Sequence, residues 1–118
     1  MKIVRRFAGP DLLIFENSGL ISRFAGPTLY RLDGRFLSGF PGPTKYEMSG
    51  QFINRYGGPT LYRFDGRFLS TFAGPVLYEY DGRYIRRFAG PTEYEVDGSF
   101  STEEIMALFA IILEEGII

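Results

Sequence analysis

The side chains able to do chemistry here are few in kind. There is no histidine and no cysteine in 118 residues, which excludes Ser–His and Cys–His nucleophile–base pairs and most transition-metal sites. Carboxylates and guanidiniums remain. The pairs Glu93/Glu95 and Glu103/Glu104 are of the type used in acid–base dyads or calcium sites. A solvated strand and a helix start explain both pairs better. No Gly-x-Gly-x-x-Gly or Walker spacing marks a phosphate cradle. The expectation is therefore a non-enzyme with no catalytic residue, cofactor or metal. Basic residues interleaved with aromatics are phosphate-binding chemistry: Arg5, Arg6, Arg31, Arg35, Arg63, Arg67, Arg83, Arg86 and Arg87. Glu16, Glu47, Glu79, Glu95 and the Asp-Gly turns offset them, so a solvated charged surface is the simpler account. The densest group is Arg83, Arg86 and Arg87 with Arg5 and Arg6. It is where an anion or lipid contact is expected.

Composition bounds the rest. The length suits one domain with one core. A hydrophobic content of 45% and a charged content of 23% are ordinary for a globular chain. A net charge of −1 gives no general attraction to nucleic acid, which is not an expected partner. No basic segment leads into an apolar one at the start, so no signal peptide is read and a cytoplasmic location is expected. The apolar run Ile105–Leu113 is about half of the ~20 residues a spanning helix needs, so the chain reads as not transmembrane. Monomer and homo-oligomer both remain open, with exposed Phe residues a possible oligomer contact.

The elements that must position these residues come from a repeat. Phe24-Ala-Gly-Pro-Thr-Leu-Tyr-Arg-Leu-Asp-Gly-Arg-Phe-Leu-Ser-Gly39 recurs from Phe40, Tyr56, Phe72 and Phe88 at intervals of 16 residues, after a looser copy of 17 from Phe7. Six Gly-Pro pairs alternate with six second turns of Asp-Gly or Ser-Gly type. Asp-Gly between β-formers predicts a hairpin with a type I′ turn, here joining Thr28–Leu32 to Arg35–Phe40. Ile3–Phe7 matches the second strand Tyr84–Phe88, while Thr92–Val96 is a first strand with no second. The chain thus starts and ends on orphan strands. Pairing them closes a 12-stranded antiparallel barrel without edges, spanning residues 1–98.

Alternation places Tyr30, Leu32 and Leu37, with Tyr46/Met48/Ile53, Tyr62/Phe64/Leu69, Tyr78/Tyr80/Ile85 and Tyr94/Val96, on the inner face. A two-residue Asp33-Gly34 turn would set Tyr30 opposite Leu37. The ring Phe36, Phe52, Phe68, Tyr84 and Phe100 then lies outside, where it must pack under neighbouring hairpins unless a bulge flips the parity. Twelve strands tilted ~40° give a radius of roughly 12 Å, which after inward side chains leaves room for one helix. Residues 101–115 supply it. Ser101 and Glu104 form a capping box and Gly116 a stop, and Ile105, Leu108, Phe109 and Ile112 belong to an apolar plug filling the centre. Glu114 and Glu115, at the unfavourable end of the helix dipole, are expected to stay in water.

A closed barrel around an apolar C-terminal helix resembles the tubby-like group: the tubby C-terminal domain, phospholipid scramblases and plant LURP-one-related proteins. The short hairpins, as in Leu61-Tyr-Arg-Phe-Asp-Gly-Arg-Phe-Leu69, also resemble bacterial β-flower proteins, and Tyr78–Arg83 resembles the YD repeats of toxin shells. The tubby-like resemblance implies binding of phosphoinositide or membrane lipid through basic surface residues; the β-flower resemblance implies no activity. Two functional classes follow. One is a binding or interaction module for anionic lipid, another anion or a protein. The other is a purely structural symmetric scaffold, recently duplicated or engineered, with no small-molecule ligand.

Overall fold

A computed structural model describes residues 2–116. Twelve strands run in chain order as β1 Lys2–Arg6, β2 Asp11–Phe15, β3 Leu20–Arg23, β4 Thr28–Asp33, β5 Phe36–Gly39, β6 Thr44–Ser49, β7 Phe52–Arg55, β8 Thr60–Phe64, β9 Phe68–Thr71, β10 Val76–Tyr80, β11 Tyr84–Arg87 and β12 Thr92–Asp97. Each pairs antiparallel with its neighbours, and β1 pairs with β12 to close the barrel. At that seam Val4 faces Val96 and Arg5 faces Glu95. The two orphan strands therefore complete a sixth repeat from opposite ends of the chain, and no strand edge is left open.

The repeat dictates where the sheet bends. All six pairings between repeats carry a register shift, for instance between Leu37 and Ser38 or between Ile85 and Arg86. The six pairings within repeats run without one. Bulges sharpen twist and bend, so regular and bulged pairs alternating around the ring let strands of 4–6 residues close on themselves.

The inner face is the one alternation assigns. Three six-membered layers point inward: Leu13 with Tyr30, Tyr46, Tyr62, Tyr78 and Tyr94; Phe15 with Leu32, Met48, Phe64, Tyr80 and Val96; and Val4 with Ile21, Leu37, Ile53, Leu69 and Ile85. The turn itself differs from expectation. Asp33 pairs with Phe36 and Leu32 with Leu37, so the turn residues are Gly34-Arg35 and not Asp33-Gly34. The positive φ of 61° then falls on Gly34, which carries it without the Cβ penalty Asp33 would meet. Leu32 and Leu37 keep the same parity in either register, which is why the inner face is unchanged. In two later copies the aspartate has another role. Asp65 Oδ1 accepts from the N–H groups of Arg67 and Phe68, and Asp81 Oδ1 from those of Arg83 and Tyr84. These bonds hold both carboxyls below the usual range, for Asp81 against the opposing effect of burial.

Through the centre runs α1, Thr102–Ala110, continued by a π-helical turn over Ile111–Glu115. The capping box forms as the sequence predicts: Ser101 accepts from the Glu104 N–H, and the Glu104 carboxylate accepts from the Ser101 N–H. The same carboxylate pairs with Lys2 of β1 at 2.9 Å, tying the helix start to the closing strand. Gly116 ends the helix at φ 64°. Ile105, Leu108, Phe109 and Ile112 are all buried, with exposures of 1%, 0%, 0% and 8%. Phe109 stacks obliquely against Phe64 and Tyr78 of the wall.

Two expectations follow. Leu108→Asp puts a carboxylate at a fully buried, apolar position and should abolish cooperative melting, whereas Leu108→Ala should cost about 2–5 kcal/mol; a Leu108→Asp protein that melts normally would reject the plug. The Gly-Pro turns hold Ala8, Ala25, Ala73 and Ala89 at φ 56–57° where the fourth copy has Gly57. Ala25→Gly should therefore raise stability by about 1 kcal/mol and Gly57→Ala lower it similarly, both read by urea denaturation.

Candidate functional site

The two ends of the barrel differ. One gathers the Asp-Gly-type turns and the start of α1. The other gathers the Gly-Pro turns and the end of the helix, and it is there that the polar machinery collects. The tyrosine layer sits just inside this mouth, with hydroxyls turned toward the helix end. Tyr30 and Tyr46 donate to the two oxygens of Glu115 at 3.1 and 2.7 Å, and Lys45 donates to the same carboxylate at 2.9 Å. Tyr62 and Arg55 donate to Glu114 at 2.6 and 2.9 Å. Glu114 and Glu115 thus do not stay in water, as expected from the dipole alone. Three strand tyrosines and two cations hold them against the wall, and these charge-assisted bonds outweigh the unfavourable helix end.

The cations serve the rings as well. Lys45 lies 5.9 Å over Tyr30, Arg55 5.8 Å over Tyr46, Arg87 5.5 Å over Tyr78 and Arg6 5.6 Å over Tyr94. Burial raises the pKa of Tyr30, Tyr46 and Tyr62, and their carboxylate partners push it further in the same direction. Burial works against the Glu115 carboxylate too, but the bonds from Lys45, Tyr46 and Tyr30 prevail and hold its pKa below the ordinary value.

The arginines singled out from sequence are only partly brought together. Arg6 and Arg87 share a groove of about 610 Å³ at this mouth, with Tyr78, Tyr94 and the helix residues Ile112 and Leu113. Arg87 also pairs with Glu93 at 2.7 Å. Arg5 lies at the seam between Asp11 at 2.8 Å and Asp97 at 3.4 Å. Arg86 is on the outer wall, 3.0 Å from Asp81. Arg83 stands beside the Asp81-Gly82 turn at the opposite end, 2.8 Å from Glu95. The carboxylates Glu93, Glu95 and Glu104 are likewise in ion pairs, and no group of described His, Cys, Asp or Glu residues is arranged to hold a metal ion.

Sequence reasoning named Arg6 and Arg87 but missed Arg23 and Arg55, and with them the pairing of arginine and aromatic at the Gly-Pro turns. Arg6-Phe7, Arg23-Phe24, Arg55-Tyr56 and Arg87-Phe88 place an exposed arginine next to an exposed aromatic at four of the six Gly-Pro turns. The signal was legible as an Arg-aromatic dipeptide preceding each of those Gly-Pro motifs by one residue. Phe40 and Phe72 complete a rim of six aromatics, each 45–56% exposed. Comparison with known proteins finds no matching family, curated protein or solved structure.

The mouth predicts a pH profile. Glu115, with its pKa lowered on folding, contributes stability that is present above the unfolded carboxylate's pKa of about 4.3 and is lost as the pH falls through the folded value. The tyrosines, with theirs raised, contribute stability that is full below about pH 10 and lost above it. Urea denaturation across pH should show a plateau with both limbs falling. Glu115→Gln should cost about 1–3 kcal/mol at pH 7 and make the acid limb shallower; an unchanged acid limb would remove Glu115 from this role.

Proposed function

We propose that this protein is a non-enzymatic binding module whose Gly-Pro rim docks on an anionic lipid surface. One observation carries the reading: four Arg-aromatic pairs stand exposed at one end of the barrel. Aromatic rings at a lipid interface bury an apolar body while guanidiniums meet phosphate, and the combination gives surface binding where neither alone suffices. Charge supports the same end. Among the described residues, five cations there, Arg6, Arg23, Lys45, Arg55 and Arg87, stand against the carboxylates of Glu93, Glu114 and Glu115. Docking is peripheral in this reading. No described helix is long and apolar enough to cross a membrane, and strands of 4–6 residues fall well short of the ~9–11 needed to cross one.

Lipid binding is also what the tubby-like resemblance implies, but the residues differ from the group read off the sequence. Arg5, Arg83 and Arg86 lie away from the rim in ion pairs, so Arg6, Arg23, Arg55 and Arg87 are the lipid contacts in this reading. Co-sedimentation with vesicles containing phosphatidylserine should retain the protein at low salt and lose it at high salt. Arg6→Glu with Arg23→Glu should abolish binding, and Phe24→Ser with Phe88→Ser should weaken it, while melting stays unchanged. Arg83→Glu, at the other end, should have no effect. Binding indifferent to the rim variants, or absent from anionic vesicles, would leave the symmetric scaffold as the better account.

A further inference from the structure

The outer wall carries a second feature, formed where the rim aromatics fold back on the rings beneath them. Four outward rings each meet the turn aromatic of a neighbouring repeat edge-to-face: Phe36 with Tyr56, Phe52 with Phe72, Phe68 with Phe88 and Tyr84 with Phe7. Their centroids are 5.7–6.1 Å apart with interplanar angles of 71–83°. This is how four of the five outer rings of the sequence are accommodated: they pack beneath the next turn, and the parity of the strands is unchanged. Phe100, expected in the same outer ring, lies beyond β12 and packs instead against the core, edge-to-face on Phe15 at 5.2 Å. Each pair forms a right-angled corner in which the turn aromatic stays about half exposed.

One corner is also a polar cleft. Phe36 and Tyr56 wall a concavity of about 200 Å³ completed by Arg31, Asp33, Ser38 and Thr44. Its charges are unlike their neighbours. Arg35, two residues after Asp33 in the same hairpin, is committed to Glu47 at 3.2 Å and to the face of Phe36. Arg31 and Asp33 have no side-chain hydrogen bond or ion pair to any described residue, and Ser38 Oγ reaches only the Arg31 carbonyl, at 3.4 Å. A guanidinium fork and a carboxylate without side-chain partners among the described residues therefore line one cleft with two hydroxyls and a half-exposed aromatic ring.

We infer that this cleft is a carbohydrate site, taking one neutral pyranose ring against Tyr56. An anionic ligand would meet Asp33, a cationic one Arg31, and a wholly apolar one would strand both charges. A ligand with an apolar face and vicinal hydroxyls satisfies all the groups. The carboxylate accepts from two adjacent hydroxyls, the guanidinium donates to two, and the ring's C–H face covers the tyrosine. The volume is below that of sites for drug-sized ligands and suits a single sugar ring. The equivalent corner two repeats on, with Arg63, Asp65, Phe68, Ser70 and Phe88, differs: Arg63 donates to Gln51, and Asp65 accepts from the N–H groups of Arg67 and Phe68.

Saturation-transfer NMR with the methyl glycosides of glucose, galactose and mannose, followed by a printed oligosaccharide array, tests this on the intact chain. At least one glycoside should bind with a Kd of about 1 mM and show its strongest transfer at ring C–H protons. Arg31→Gln with Asp33→Asn, both at exposed positions, should weaken binding at least tenfold without moving the melting temperature. Tyr56→Ser should do the same and Tyr56→Phe should restore the stacking contribution. No transfer from any saccharide at tens of millimolar, or binding that the double variant leaves intact, would overturn the assignment. Vesicle binding through the rim is read separately, and Arg6→Glu with Arg23→Glu should leave the sugar signal in place.

Discussion

The burial of one wholly apolar helix governs this structure. Seven consecutive residues, Ile105–Ile111, are at most 1% exposed, which no two-sided packing of a helix achieves. Only a closed wall supplies apolar contact on every side. The wall has the reciprocal need: twelve strands enclose a space too wide for their own side chains to fill. Helix and barrel are therefore conditions for each other. The seam between β1 and β12 matters for the same reason, since an open sheet would expose both its edges and the plug. The ion pair from Lys2 to Glu104 fastens closure and plug at one point.

The helix ends convert this packing into polarity. At its start, a capping box and two glutamates sit among the aspartate turns. At its close, Glu114 and Glu115 would repel the carbonyl end of the helix, and the barrel answers with tyrosine hydroxyls and cations from β4, β6, β7 and β8. The repeat makes that answer possible, because five of the six copies place a tyrosine in one inward layer, and three of these, Tyr30, Tyr46 and Tyr62, reach the helix end. The same repeat sets the Arg-aromatic pairs side by side on the rim and the edge-to-face corners around the outer wall. A short motif thus yields three kinds of surface according to which residues of each copy face in, out or along the axis.

Much of the fold was legible in the residues. The 16-residue period, the matching of Ile3–Phe7 to Tyr84–Phe88, and the run Ile105–Leu113 lead to the ring and its plug. The inner face was legible because alternation survives a two-residue shift in turn register. The turn itself was not: Asp-Gly as a dipeptide suggests where a bend falls but not which residue takes positive φ, and the ladder resolved that in favour of glycine alone. The site was the least legible part. A cluster of arginines in the sequence says nothing of whether acids from distant strands neutralise it. Arg5 with Asp97 and Arg83 with Glu95 are pairings that exist only once the sheet is in register.

What the chain determines by itself is periodic and local: strand alternation, turn positions, the helix cap and the demand of nine contiguous apolar residues, Ile105–Leu113, for an enclosed space. These depend on neighbours a few positions away, so the sequence alone exposes them. What the tertiary structure decided is which charges are spent and which stay available. That depends on groups brought together from far apart along the chain, as with Tyr46 and Glu115, 69 positions apart. Coulomb and hydrogen-bond energies fall off over a few ångströms, so only the folded geometry settles them.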